Sequence, residues 1–167
     1  MTGVLIAGIG NIFFGDDGFG VEVIRRLDAR RLPEGARAVD YGIRGVHLAY
    51  DLLDGCYGAL IMVDCLPTGE QPGTVSVLEV DDEALAEIRG AESTIDSHTM
   101  RPEAVLAALH ALGGHIDRVL IIGCQPLSLA PRIGLSDPVS HAVDDAVELA
   151  ITLSITEAQA DRVIRSA

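Results

Sequence analysis

At 167 residues the chain has the length of one domain, residues 1–167, and with 49% of its residues hydrophobic it can bury a sizeable core. Its net charge of −13 argues against nucleic acid or an anionic membrane as partners, since both would repel such a surface. Cys56, Cys65 and Cys124 are three in number with no C-x-x-C spacing, which argues against a disulfide framework and a structural zinc ribbon.

The elements alternate along the chain. The apolar start through Val4–Ala7 has no basic leader and runs into a glycine loop, so it reads as a first strand rather than a signal peptide. Residues 16–31 read as a helix with Val23, Ile24 and Leu27 on one face. Arg25, Arg26, Arg30 and Arg31 lie late in it, where they complement the helix dipole, and Pro33 prevents continuation. Ala36–Asp40 reads as a short strand, 46–53 as a helix ended by Gly55, and Ala59–Val63 as a buried strand. After a turn-rich loop at 67–73, the imperfect alternation of Thr74–Val80 suggests an antiparallel edge strand. Residues 82–89 suit a short helix. Residues 101–112 suit another, with Val105, Ala108, Leu109 and Leu112 in helical spacing. Val119–Ile122 reads as a buried strand. From Pro138 a long helix carries Val139, Ala142, Val143, Ala146, Val147, Ala150 and Leu153 on one stripe. No stretch of about 18 uninterrupted apolar residues occurs, so no membrane-spanning helix is expected and the cytoplasm is the expected compartment. This order implies an α/β fold: a single doubly wound, mostly parallel twisted sheet of about five strands with helices on both faces.

Gly8-Ile9-Gly10 after a strand suggests a dinucleotide fingerprint, but the sixth position is Phe13, where that motif needs a small residue. Asp16 and Asp17 would also stand where a pyrophosphate binds and repel it, so no nucleotide cofactor is expected. Asp16 reads as a helix cap more readily than as a metal ligand. Asp17 either gains from the helix dipole or joins a site with residues of other loops. Those loops are Val63-Asp64-Cys65 and Asp96-Ser97-His98-Thr99. In an open parallel sheet, loops at the carboxyl ends of strands converge on one crevice, and two carboxylates with an imidazole suit a divalent ion such as nickel or zinc.

The run Gly8-x-Gly10-Asn11-x-x-x-x-Asp16-Asp17-Gly18-x-Gly20, with Val63-Asp64, Ser97-His98 and the segment Gly123-x-x-Pro126-x-Ser128-Leu129-x-Pro131-x-Ile133-Gly134-Leu135-Ser136, resembles the hydrogenase maturation endopeptidases. The likeness spans Gly3 to about Leu149. It implies a peptidase that removes a carboxyl-terminal peptide from the large-subunit precursor of a [NiFe] hydrogenase after the metal is inserted. It also implies that Asp17, Asp64 and His98 form the catalytic and metal-binding set, with nickel supplied by the substrate. In Val39-Asp40-Tyr41-Gly42 the resemblance offers Asp40 as a substrate contact, against a plain turn-forming role. Gly42 and Gly45 would let a substrate backbone come close. A monomer is expected.

Two other readings stand beside this one. A non-enzymatic chaperone would hold the nickel-loaded precursor with the same ligands, and an acid endopeptidase would cut another protein without nickel. His47 opens a helix near Gly45, where it offers a weak substrate contact; His110 reads as exposed and His115 as loop, His141 has no evident partner, and Arg101, Arg118 and Arg132 read as surface. Cys65 reads as a small buried hydrophobe. No Gly-x-Ser-x-Gly elbow is present.

Overall fold

A computed structural model of the chain describes residues 3–81, 83 and 101–166, with side chains to residue 160. Five strands, β1 (Gly3–Ile9), β2 (Ala36–Gly42), β3 (Tyr57–Cys65), β4 (Val75–Val80) and β5 (Arg118–Cys124), form one sheet in the order β2-β1-β3-β5-β4. The first four in that order are parallel, and β4 pairs antiparallel with β5, as its alternation suggested. The three central strands are nearly continuous apolar runs because helices cover both of their faces.

The helices are α1 (Phe19–Leu27), α2 (Gly45–Asp54), α3 (Pro102–Ala111) and α4 (Asp137–Ser166). α1 packs with α4 on one face, burying Phe19, Val23 and Leu27 beside Val139, Val143 and Val147. α2 packs with α3 on the other, burying Leu48 and Leu52 beside Val105 and Leu109. Arginine side chains join α1 and its C-terminal turn to α4: Arg26 pairs with Asp144 at 2.6 Å and Arg30 with Glu148 at 2.6 Å. No helix among the described residues is long and apolar enough to cross a membrane.

Several expectations need correction. The first helix is shorter at both ends than residues 16–31. Gly15–Gly18 forms a 3-10 turn, and after Leu27 the Arg30 N–H closes a tight turn onto the Leu27 carbonyl. Arg30 and Arg31 therefore lie beyond the helix, and Arg30 acts through its ion pair with α4 rather than on the α1 dipole. Leu112 is exposed, because α3 ends at Ala111 and the chain turns away through Gly113. Arg118 is only half exposed and pairs with both Glu79 and Glu157. The helix expected over 82–89 lies outside the described residues, apart from Glu83.

Two glycines explain how α1 lies so close to the sheet. A Cβ on Gly20 would collide with the carbonyl oxygens of Val63 and Ile9, and one on Gly8 with the Gly20 carbonyl. Helix–strand approach, which a small residue at position 13 would have supplied in a dinucleotide fold, is supplied here by Gly20 against Gly8. Phe13 is thereby left free to face solvent.

Candidate active site

β1 leads to β2 on one side of it and β3 pairs on its other side, so the strand order reverses between β1 and β3. Ligand crevices form at such a switch, outside the carboxyl ends of the strands. Asp17 follows β1 in the 3-10 turn, and Asp64 stands one residue before the end of β3. Both line one cavity of about 500 Å³ with Gly10, Asn11, Phe14, Ile43, Cys65, Leu66, Pro67, Arg101, Pro102, Glu103 and Leu129.

Asp17 is held by the glycine loop. The Asn11 N–H donates to Asp17 Oδ2 at 2.8 Å, and the Asn11 side chain in turn accepts from the Phe13 N–H at 3.0 Å. Gly10 has φ of +136°, a conformation side chains disfavour, and a Cβ there would strike the Asp17 carbonyl. The loop thus brings its own backbone against the turn that carries Asp17.

Asp64 is 6% exposed and accepts from the Cys65 N–H at 2.7 Å. Burial drives its pKa well above the usual carboxylate range. The Cys65 N–H opposes that shift, and the charges of Asp17 and Glu103 add to it. An acid in this setting is relieved by a proton or by a cation. A pair of carboxylates lining one cavity fits a divalent ion by donor chemistry. The Cys65 thiol, expected as a small buried hydrophobe, is buried beside Asp64. Desolvation first and the Asp64 charge second push its pKa up, which favours the neutral thiol over the thiolate.

The remaining residues singled out in the sequence fall in several places. His98 lies outside the described residues. Asp40 is exposed at the end of β2, where its carbonyl accepts from Arg44 Nη2 at 2.7 Å. The Gly42 carbonyl accepts from the Gly10 N–H at 3.0 Å, which ties the loops after β2 and β1 together. Gly45 is buried in the first turn of α2. None of these three lines the cavity; their neighbour Ile43 does.

Asp16 is not the helix cap expected of it, for its side chain makes no capping bond to the turn it sits in. It is 1% exposed and binds a loop distant in sequence. Its Oδ2 accepts from the N–H groups of Leu127 (2.8 Å) and Ser128 (2.9 Å) and the Ser136 hydroxyl (2.9 Å), and its Oδ1 from the Ser136 N–H (2.7 Å). Burial opposes its charge, but these bonds outweigh burial and hold its pKa below the ordinary value. Glu103 and Arg101, at the start of α3, also escaped the sequence reading as cavity residues. Their position just beyond the Ser-His motif was the available signal.

Residues 21–153 match the family model HycI, described as hydrogenase maturation protease. A candidate hydrogenase maturation protease of Methanocaldococcus jannaschii is 36% identical over 149 residues, spanning 87% of this chain and 92% of that protein. The hydrogenase expression/formation protein HupD of Rhizobium leguminosarum bv. viciae is 33% identical over 150 residues, 89% of this chain and 72% of its own. Among solved structures, the hydrogenase maturating endopeptidase HybD of E. coli superposes with a TM-score of 0.73 at 26% identity, covering 93% of this chain and 94% of that one. The hydrogenase 2 maturation peptidase of a Thaumarchaeota archaeon superposes with a TM-score of 0.68 at 31% identity, covering 91% and 97%.

Proposed function

This chain belongs to the hydrogenase maturation protease family and is a peptidase, and we propose that it removes a carboxyl-terminal peptide from the large-subunit precursor of a [NiFe] hydrogenase once nickel is in place. The observation that carries this reading is the pair Asp17 and Asp64, brought from two different strand ends to one cavity at the switch point of the sheet. Nickel is part of the substrate here. Asp17, Asp64 and His98 would be its protein ligands, and the remaining coordination positions belong to the precursor.

The electrostatics support recognition of a cation. Without one, Asp64 is driven toward its protonated form by burial and by Asp17 and Glu103. With one, both carboxylates are favoured as anions, so binding the loaded precursor releases a proton. An unloaded precursor offers the cavity nothing to balance that charge, and its affinity is correspondingly low. The metal-loaded precursor would therefore be selected before its chain is cut. The reaction takes place in the cytoplasm, with the protein as a monomer.

The test is the intact mass of a hydrogenase large-subunit precursor incubated with this protein, with and without nickel loaded. Loss of one defined carboxyl-terminal peptide from the loaded form alone is the expected result. Equal cleavage of both forms removes the nickel gate and leaves a simple endopeptidase. An unchanged mass with a tight, nickel-dependent complex points to a chaperone.

A further inference from the structure

The chain has no Trp and only three Phe, of which Phe19 is fully buried in the core. The other two, Phe13 and Phe14, stand side by side in the glycine loop at 60% and 43% exposure. Ile12 precedes them, also exposed. On the loop bonded to this one through Arg132 stand Leu129 and Ile133, 46% and 75% exposed. Five exposed apolar side chains on two joined loops, in a chain so poor in aromatic residues, suit a place where another molecule sits. Two of the five, Phe14 and Leu129, also line the acidic cavity.

Backbone hydrogen bonds join the two loops. The Gly15 N–H donates to the Arg132 carbonyl at 2.9 Å, the Arg132 N–H to the Phe13 carbonyl at 3.0 Å, and the Asp16 N–H to the Ser128 carbonyl at 3.1 Å. Phe14 and Arg132 form a parallel bridge. Beneath them the Asp16 carboxylate fastens Leu127, Ser128 and Ser136. The lip is thus set in shape before any partner arrives, which reduces the ordering a partner would impose.

We propose that this lip, made by Ile12–Phe14 on one loop and Leu129 and Ile133 on the other, docks an apolar segment of the precursor protein and leads it into the acidic cavity. The proposal rests on the processing function given above. Charge decides between the precursor and a second copy of this chain. Two copies meeting at their lips would bring together two clefts in which Asp17 and Glu103 outnumber the one cation, Arg101, on molecules that each carry a net charge of −13. A precursor with an apolar segment beside a metal centre complements both halves of the surface, apolar outside and anionic within.

The experiment uses the full chain carrying Phe13→Ser with Ile133→Ser, and a second variant, Phe13→Leu with Ile133→Val. Processing of nickel-loaded precursor is followed by mass across a range of precursor concentrations, and binding is followed by interferometry. The proposal expects KM and Kd to rise roughly tenfold or more in the serine variant, with kcat within about twofold of wild type, and near-complete recovery in the conservative variant. Unchanged KM and Kd in the serine variant, beside a wild type that cleaves, overturn the lip and leave the processing function standing. A wild type that binds but does not cleave sinks the processing function, and the binding comparison still decides the lip. A wild type that neither binds nor cleaves overturns both. Concentration-dependent dimerisation of the wild type that the serine variant abolishes assigns the lip to a second copy and also overturns the proposal.

Discussion

Asp16 and Asp64 are both withdrawn from solvent, yet their surroundings move them in opposite directions. Asp64, with burial dominant, has a raised pKa. Its neutral form is the stable one in the fold, so its contribution is fully present below the unfolded value, roughly 4, and is lost as pH rises through the folded value. Asp64→Asn keeps an acceptor for the Cys65 N–H and removes the charge. That variant is expected to match wild type in melting temperature in acid and to exceed it at neutral pH. A variant less stable than wild type at pH 7 would contradict this. Asp16 runs the other way: its lowered pKa gives stability present above roughly pH 4 and lost as pH falls through the folded value. Asp16→Asn puts a donor where N–H and O–H groups already point. It is expected to cost about 3 kcal/mol at pH 7 by urea unfolding, with the gap to wild type narrowing in acid. A cost below about 0.5 kcal/mol would mean that the loop 127–136 does not depend on this carboxylate.

At the scale of the element, the seat of α1 on the sheet is the sensitive joint. Gly20→Ala would push a methyl group into the carbonyl oxygens of Val63 and Ile9, neither of which is the mobile end of a side chain. A loss of about 2 kcal/mol or more is expected, with processing reduced because β3 and the glycine loop carry Asp64 and Asp17. Chemical denaturation checks the first and peptide release the second. The ion pairs between Arg26 and Asp144 and between Arg30 and Glu148 cross the same two helices but stand largely in water. Removing both with Arg26→Ala and Arg30→Ala is expected to lower stability by about 1 kcal/mol or less, and by less still at high salt. Backbone fit, rather than the visible charges, holds α1 in place.

Seen as a whole, the molecule was readable in sequence wherever local pattern determines structure. All five strands, the antiparallel edge at β4, the apolar stripe of α4 and the placement of Asp17 and Asp64 at strand ends follow from short-range periodicity and punctuation. What escaped depends on distant partners. Asp16 looked like a helix cap because its true partners, Leu127, Ser128 and Ser136, lie more than 100 residues away in sequence. The end of α1 was overrun because the residues after Leu27 are good helix formers, while the chain there turns to bring Arg30 to α4. Glu103 and Arg101 joined the site only when the crossover brought α3 beside the end of β3.

The central claim is that Asp17 and Asp64 act together on a metal-bearing precursor. Its most direct test is the intact mass of nickel-loaded precursor after incubation with wild type, Asp17→Asn and Asp64→Asn, each checked for its fold by circular dichroism. Complete loss of peptide release in both folded variants, beside cleavage by wild type, is the predicted result. Release at the wild-type rate by a folded Asp64→Asn variant would contradict it.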